Sequence, residues 1–549
     1  MKYIEGYCRD QITFLPECID DLIGQDNPVR VIDCFVENLD MADLGFQRSV
    51  PNSTGRPGYD PRDLLKLYIY GYMNKIRSSR KLMKECGRNI ELFYLLNRLT
   101  PDFRTIADFR KDNAKAIQKV FRAFVKVCMR LGLYQKELLA IDGSKIRAVN
   151  SKNNCYNAEA LEKKLANIDA HISEYLSMMD SNDLEEADEE KPTEEEIKAA
   201  LANLTQRKEL YEGYLKELQE SGSTQILLTD PEARRMHSKD GFHCCYNVQT
   251  AVDKGSHLIA DYEVTNQNTD QGLLLQVAEK VKETLETETL EIVADKGYES
   301  REDIINCIMN GVVPNVAMKY DKKERLYNIE YKEAEITDEI RNSKKPEDIQ
   351  KCLHAGVLPK CYEGTAISVE LQGMSQLSCF TLRSDGKVIC PMGNILSKIK
   401  KRGNNTIYAN KDACRQCPNR CTSGRGHKTV SFGPDTNCVP VIVYGNPKYK
   451  LNKIPENAKI SPFNHTLNRK DCQKPKKVVI RIKEDKEKIK ERMCLSEHPF
   501  GTVKWFHGAH YLLCKGKEKA SAEMGLSFLA YNMIRAINMV GINKLLAAM

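Results

Sequence analysis

Apolar positions along the chain fall into stretches of different period. Between Asp60 and about Arg130 they recur every three and four residues. Asp60 followed by Pro61 supplies an N-cap and a first-turn proline, and Leu64, Leu67, Tyr68 and Gly71 then fall at helical spacing. Thr100-Pro101 repeats the start signal, and Thr105-x-x-Asp108 offers a second cap just downstream. Ile117, Val120, Phe121, Phe124 and Cys128 then form the apolar stripe of a longer helix. The pattern predicts a mostly helical segment over residues 1–130. At Leu138 the period changes: Leu-Leu-Ala-Ile-Asp142 is an apolar run ending in an acid and reads as a central strand.

From Leu161 the helical rhythm returns at Leu165, Ile168, Ile172 and Tyr175. It continues after Pro192-Thr193-x-x-Glu196 at Ile197, Leu201, Leu204, Leu215 and Leu218. Two long helices paired as an antiparallel hairpin over residues 155–222 are expected, with the acidic run 178–196 at the tip. Beyond it Tyr246, Val248, Thr250 and Val252 alternate, a turn follows at residues 253–256, and a second strand runs over 257–265. A helix over about 270–285, a buried strand ending at Asp295, and a helix started by Ser300-x-x-Asp303 complete the run. Without the hairpin, this is a three-stranded meander followed by alternating helix and strand, the ordering of a ribonuclease H-like fold.

Composition narrows the class. The 549 residues are 41% hydrophobic and 29% charged, and no apolar run approaches the ~20 residues that a membrane span requires. The start, MKYIEGYCRDQITFLP, lacks the apolar core of a secretory signal, so a cytoplasmic protein without a membrane partner is expected. In that compartment the 20 cysteines stay reduced, and tight spacings point to metal before disulfide. Cys414, Cys417 and Cys421, with Cys390 upstream in a Cys-Pro-Met-Gly turn, could close a structural zinc site. Four reduced cysteines in a loop-rich region, with His427 as a substitute ligand, is the competing reading. The net charge of +7 is modest, but it is uneven: residues 178–196 are strongly acidic and residues 468–492 strongly basic. Arg77, Arg80, Lys81, Lys84 and Arg88 lie among short helices that suit either a helix-turn-helix DNA-binding unit or a bundle with a basic solvent face. No GxxxxGK[ST] loop, HExxH pair or GxSxG elbow is present.

The strand topology would place Asp142 and Asp295 on neighbouring strands with their ends at one edge. Adjacent carboxylates repel unless a cation lies between them, so such a pair makes sense chiefly as an oxygen-ligand site. The blocks Ala-Ile-Asp142-Gly-Ser, Tyr-Asn-Val-Gln-Thr-Ala-Val-Asp253, Ala-Asp295-Lys-Gly-Tyr298 and Ser-Glu497-His-Pro-Phe-Gly-Thr-Val-Lys504 resemble the successive signatures of DDE transposases from bacterial insertion sequences. Gly55-Arg-Pro-Gly-Tyr-Asp-Pro61, Ser78-Ser-Arg80 and Pro101-Asp-Phe-Arg-Thr-Ile-Ala-Asp-Phe-Arg110 are similar to the N-terminal domain of that family. The resemblance covers most of the chain and is weakest over residues 320–480.

The resemblance implies a DNA transposase in which Asp142, Asp295 and Glu497 hold two magnesium (or manganese) ions for cleavage and strand transfer. Glu491 and Glu523 are the competing third acids. Lys504 follows Glu497 by seven residues, about two helical turns or roughly 10 Å along the axis, and would grip a phosphate from the same face. Arg492 stands one position further from Glu497 than the family's usual arginine, and Ile489 replaces its tyrosine.

The implied architecture is a helical DNA-binding domain over 1–130 and an α/β, ribonuclease H-like core over 131–320 carrying the hairpin. A cysteine-bearing insertion over 321–480 and C-terminal helices over 481–549 that complete the core follow. The implied partners are double-stranded DNA, both inverted-repeat ends and target, and further copies of the chain on that DNA. The rival is a transposase-derived DNA-binding protein that no longer cuts.

Overall fold

The computed structural model describes residues 18–50, 58–151, 154–182, 194–238, 241–318, 324–373, 379–382, 387–390, 394–403, 405–417, 427–432, 440–442 and 476–549. Helices α1 (Val29–Glu37), α2 (Pro61–Met73), α3 (Ser79–Cys86), α4 (Ile90–Leu96), α5 (Phe103–Asp112) and α6 (Ala114–Arg130) come first. Pro61 occupies the first position of α2, and Asp60 accepts the Arg62 N–H at 2.8 Å, as the sequence predicts. The next start shifts. Asp102, rather than Thr100, caps α5, accepting the N–H groups of Arg104 and Thr105, and the Thr105 hydroxyl also donates to it. A carboxylate that satisfies two orphan donors leaves Thr105 inside the helix instead of capping one. The α6 stripe of Ile117, Val120, Phe121, Phe124 and Cys128 is fully buried.

The central strand is β1 (Leu139–Arg147). After it come β2 (Cys155–Tyr156), the long helices α7 (Ala158–Asn182) and α8 (Glu194–Ser221), which pack on each other, and β3 (Ile226–Leu227), which pairs with β2 to close the base of the hairpin. The acidic tip, residues 183–193, lies outside the described residues. Then follow β4 (Arg234–Ser238), β5 (Gly241–Asp253), β6 (Ile259–Thr265), α9 (Leu274–Leu285), β7 (Leu290–Ala294), α10 (Arg301–Met309) and β8 (Val312–Val316).

These strands form one sheet in the order β4-β5-β1-β7-β8, with β6 pairing β5 as well. Pairing is antiparallel from β1 to β5 and β5 to β6, and parallel from β1 to β7 and β7 to β8. This is the expected meander with alternation, extended by β4. The β5–β6 turn is held by Asp253, whose carboxylate accepts from Gly255 N, Ser256 N and Ser256 Oγ. Helix α9 begins four residues later than expected because its first N–H groups, on Leu274 and Leu275, are capped by Asp303 of α10. Only tertiary structure supplies that cap.

The chain divides into two compact units, residues 1–322 with 484–549, and residues 323–483. The second holds β9 (Glu324–Glu330), α11 (Asp338–Asn342), α12 (Pro346–His354), β10 (Ile367–Gly373), β11 (Cys379–Leu382), β12 (Val388–Ile389), β13 (Ile395–Arg402), β14 (Asn405–Ala409), α13 (Lys411–Gln416), β15 (Val430–Phe432), β16 (Pro440–Ile442) and β17 (Lys476–Lys483). Its strands form two antiparallel sheets, β10-β17-β9 and β15-β14-β13-β12-β11-β16.

The chain returns to the first unit with α14 (Lys486–Gly501), a π-helical turn at Thr502–Phe506, α15 (Lys517–Val540) and α16 (Ile542–Ala547). Helix α15 packs on α6, α2 and β6 and is buried along most of its length. From it Glu523, fully buried, meets Arg77 at 2.6 Å and accepts the N–H groups of Leu513 and Cys514. Arg77 also donates to the carbonyls of Gly508 and Tyr511. One buried ion pair therefore ties the α2–α3 connection to the segment between the π turn and α15.

Arg77→Ala would leave Glu523 charged and buried, with an expected loss of about 3–5 kcal/mol of stability. Urea unfolding checks this, and a loss below about 1 kcal/mol, the value of an exposed pair, would remove the lock from the account.

Candidate active site

The alternation of β1 puts Leu138, Ala140 and Asp142 on one face of the sheet, and helix α14 covers that face. Leu495 of α14 packs in a buried cluster with Leu138, Ala140 and Val293, and Ile489 packs against it. The parallel register pairs Ala140 with Val293. Two residues further along stand Asp142, still on β1, and Asp295, just past the end of β7, near enough for the charge of Asp295 to act on Asp142. Asp142 takes the Gly143 N–H at 2.9 Å, while Asp295 caps the short turn after β7 by accepting Gly297 N–H at 2.7 Å. A Cβ at position 297 would come within 2.8 Å of Asp295 Oδ1, so glycine keeps this turn open around the acid.

From α14, Arg492 Nη1 approaches Asp142 Oδ2 at 3.4 Å, and Ser496, one turn on and fully buried, faces the same carboxyl. Burial pushes the Asp142 carboxyl up, and the negative charge of Asp295 adds to this; Arg492 and Ser496 pull it down. The guanidinium is the counter-charge that a crowded pair of acids requires.

Both acids are hard oxygen donors on facing strand ends, the ligand chemistry of magnesium or manganese. Asp142 and Asp295 fit a divalent cation in this respect. Among the described residues, however, no three His, Cys, Asp or Glu side chains are gathered closely enough to hold a metal ion. Glu497 is exposed on α14, one residue after Ser496 and thus about 100° around the helix from the side chain that faces Asp142.

Of the competing third acids, Glu523 is consumed by Arg77, and Glu491 pairs with Lys254 at 2.7 Å. Lys504 does not follow Glu497 at simple α-helical spacing. Pro499 removes a backbone donor inside α14, and the π turn then widens the helix before Lys504, whose ammonium contacts Ser144 Oγ and, at 3.4 Å, the Lys145 carbonyl on β1.

The basic residues expected to meet DNA, Arg492 among them, fall into three settings. Arg77 is buried and neutralised by Glu523, so it is withdrawn from any DNA surface. Arg80, Lys81 and Lys84 are exposed on α3. Arg492 is turned toward Asp142.

In the second unit, Cys390, Cys414 and Cys417 are half-buried, and Cys421 lies outside the described residues.

Sequence reading missed the polar layer beside the acids. Asn247 and Gln249 of β5 both donate to Asp270 Oδ1 at 2.8 Å, and the Tyr298 hydroxyl donates to Gln249 Oε1. Gln249 fills the place of a side chain at Gly143, where a Cβ would collide with its amide. The available signal was two amides two residues apart in an otherwise buried strand.

Residues 17–112 match the model of a transposase domain (DUF772), and residues 205–371 match that of a transposase DDE domain. No curated protein matches the chain. A cryo-EM structure of the piggyBac transposase synaptic complex with hairpin DNA aligns at 9% identity and a TM-score of 0.27, covering 95% of this chain and 79% of that one. No helix of the described residues is long and apolar enough to cross a membrane.

His507, at the end of the π turn, is 2% exposed, and burial, reinforced by Lys75, pushes its imidazole down to about 4. The fold thus favours neutral His507, and this contribution is complete above the ordinary value of 6.5 and lost as pH falls toward 4. Wild type should lose on the order of 2 kcal/mol more stability between pH 7 and pH 5 than His507→Gln. Parallel urea curves at the two pH values test this; equal losses would mean that His507 is not held neutral.

Proposed function

We propose that this chain, a member of the DDE-type transposases of insertion sequences, cuts DNA at the ends of its element and joins the freed ends to a target. The observation that carries the reading is the placement of Asp142 on β1 and Asp295 just past the end of the adjacent parallel strand β7, with Arg492 supplying counter-charge. The strand order, with antiparallel pairing through β5 to β4 and β6 on one side of β1 and parallel pairing through β7 to β8 on the other, supports a ribonuclease H-like core.

Asp142 and Asp295 would hold the divalent metal, with Glu497 as third acid. Bound there, magnesium or manganese would supply Lewis-acid stabilisation of an in-line displacement at phosphorus. The chain's own residues do the rest. Arg492 limits the repulsion between the two carboxylates and pulls the Asp142 carboxyl down against the upward push of burial. Lys504 holds an ammonium against β1 two to three residues beyond Asp142, where a DNA phosphate would be positioned. Recruitment of Glu497 requires α14 to turn about its axis, and the π turn beyond Gly501 is the place where its hydrogen bonding is least regular. The exposed cations of α3 would engage the DNA backbone.

Replacing Asp142, Asp295 or Glu497 with Ala should abolish metal-dependent cleavage and strand transfer on the flanking repeats while leaving DNA-end binding largely intact. Double mutants should be no worse than singles. Full activity of Asp142→Ala or Asp295→Ala would overturn the mechanism, whereas an active Glu497→Ala would displace only the third ligand. For α3, the plot of log affinity against log salt for Lys81→Ala/Lys84→Ala should be shallower by about two units, one per lost phosphate contact. An unchanged slope would place the DNA on another surface.

A further inference from the structure

Between the π turn and α15 the chain presents a group of aromatic side chains to solvent. Trp505, the only tryptophan in the sequence, is 77% exposed, and Phe506 is 56% exposed. The ring of His510 lies 6.0 Å from that of Trp505 and 19° from parallel, so the two form a stacked surface. Large rings seldom remain so open in a folded chain unless something covers them.

The fold holds this segment firmly. Arg77 and Glu523, both buried, bond the backbone of Gly508, Tyr511, Leu513 and Cys514. The end of β1 adds two bonds, Arg147 N to the His510 carbonyl at 3.3 Å and Leu512 N to the Arg147 carbonyl at 2.7 Å. A buried charge pair is a costly means of fixing a surface segment, and it makes physical sense where the position of the exposed rings matters.

The surroundings are cationic. Lys75 Nζ lies 3.5 Å from the centre of the Phe506 ring, Lys504 precedes Trp505 directly, and Arg147 is exposed where β1 meets the segment. Arg147 is five residues along the same strand from Asp142, roughly 16 Å.

We infer that Trp505 and His510 form a stacking platform for an unpaired nucleobase of the DNA strand whose backbone runs over Lys504 and Arg147. Aromatic faces accept any base, and the flanking cations hold its phosphates; together these are the two elements of single-strand recognition. An extruded or frayed base next to the proposed cleavage site would need such a place to rest. The inference rests on the reading of the chain as a DNA-acting protein.

Because Trp505 is the sole tryptophan, its emission under red-edge excitation reports on the platform alone. Full-length protein is titrated with three fluorescein-labelled duplexes, one with a short 3′ extension of thymidines, one with an abasic extension and one blunt, while anisotropy follows DNA binding. The thymidine extension should quench the tryptophan, and the abasic and blunt duplexes should not. Trp505→Ala should bind the thymidine extension on the order of tenfold more weakly and the blunt duplex unchanged, with Trp505→Phe in between.

Equal quenching by the abasic extension, or binding of all three without quenching, would overturn the platform while leaving DNA action intact. Emission that changes with protein concentration alone, together with an altered sedimentation of Trp505→Ala, would assign the rings to contact between copies. No binding of any duplex would instead remove the reading on which the inference rests.

Discussion

The parallel pairing of β1 with β7 is the constraint on which the site depends. With Ala140 opposite Val293, Asp142 on β1 and Asp295 just past the end of β7 come close enough for their charges to interact. Two carboxylates so placed repel at a cost that burial increases, and the fold answers with Arg492 from the covering helix. Helix α14 can deliver that arginine because Leu495 anchors it on Ala140 and Val293, one step back along the same face. Packing and charge balance are consequently one arrangement: displacing Leu495 would also withdraw Arg492.

The same helix shows how a local irregularity redirects side chains. Up to Gly501, α-helical periodicity faces Arg492 and Ser496 to Asp142 and turns Glu497 to solvent. Pro499 and the π turn then alter the count, and Lys504 reaches β1 although it stands two nominal turns from an exposed residue. A straight helix would have kept Glu497 and Lys504 on one face. The observed one divides them, so bringing Glu497 to the pair, as the proposed mechanism asks, would be a matter of helix rotation rather than of side-chain rotamers alone.

Much of this was legible in the sequence, for identifiable reasons. Asp60-Pro61 and Ser300-x-x-Asp303 start helices through local hydrogen bonds, which neighbours in sequence encode, and the strand pattern from Leu138 to Asp295 follows from alternation and buried apolar runs. The strand order predicted from that pattern placed Asp142 beside Asp295. What was not legible depends on partners remote in the chain. Arg77 is charged and precedes a basic helix, so composition alone assigned it to DNA; only its pairing with Glu523, 446 residues away, buries it. The start of α9 is set by Asp303, and the glycine at 143 by Gln249. The π turn leaves little trace beyond Pro499, whose presence signals a disturbed helix but not the direction in which later side chains turn.

Arg77 also joins two surfaces that any action on DNA would have to use together. It lies between α2 and α3, two residues before the helix that carries Arg80, Lys81 and Lys84, and its guanidinium holds the backbone of the segment after the π turn. The exposed cations of α3 and the exposed rings around Trp505 are therefore placed relative to each other through a few buried bonds, not through a flexible linker. An ion pair in such a position adds little net stability compared with apolar packing, but it has a single geometry in which all donors and acceptors are satisfied. A hydrophobic contact could slide by a rotamer, whereas this one fixes the distance between the helix and the loop. Under the proposed function, in which a DNA backbone would be held at one place and carboxylates presented to it at another, a fixed distance is worth more than the stability it forgoes.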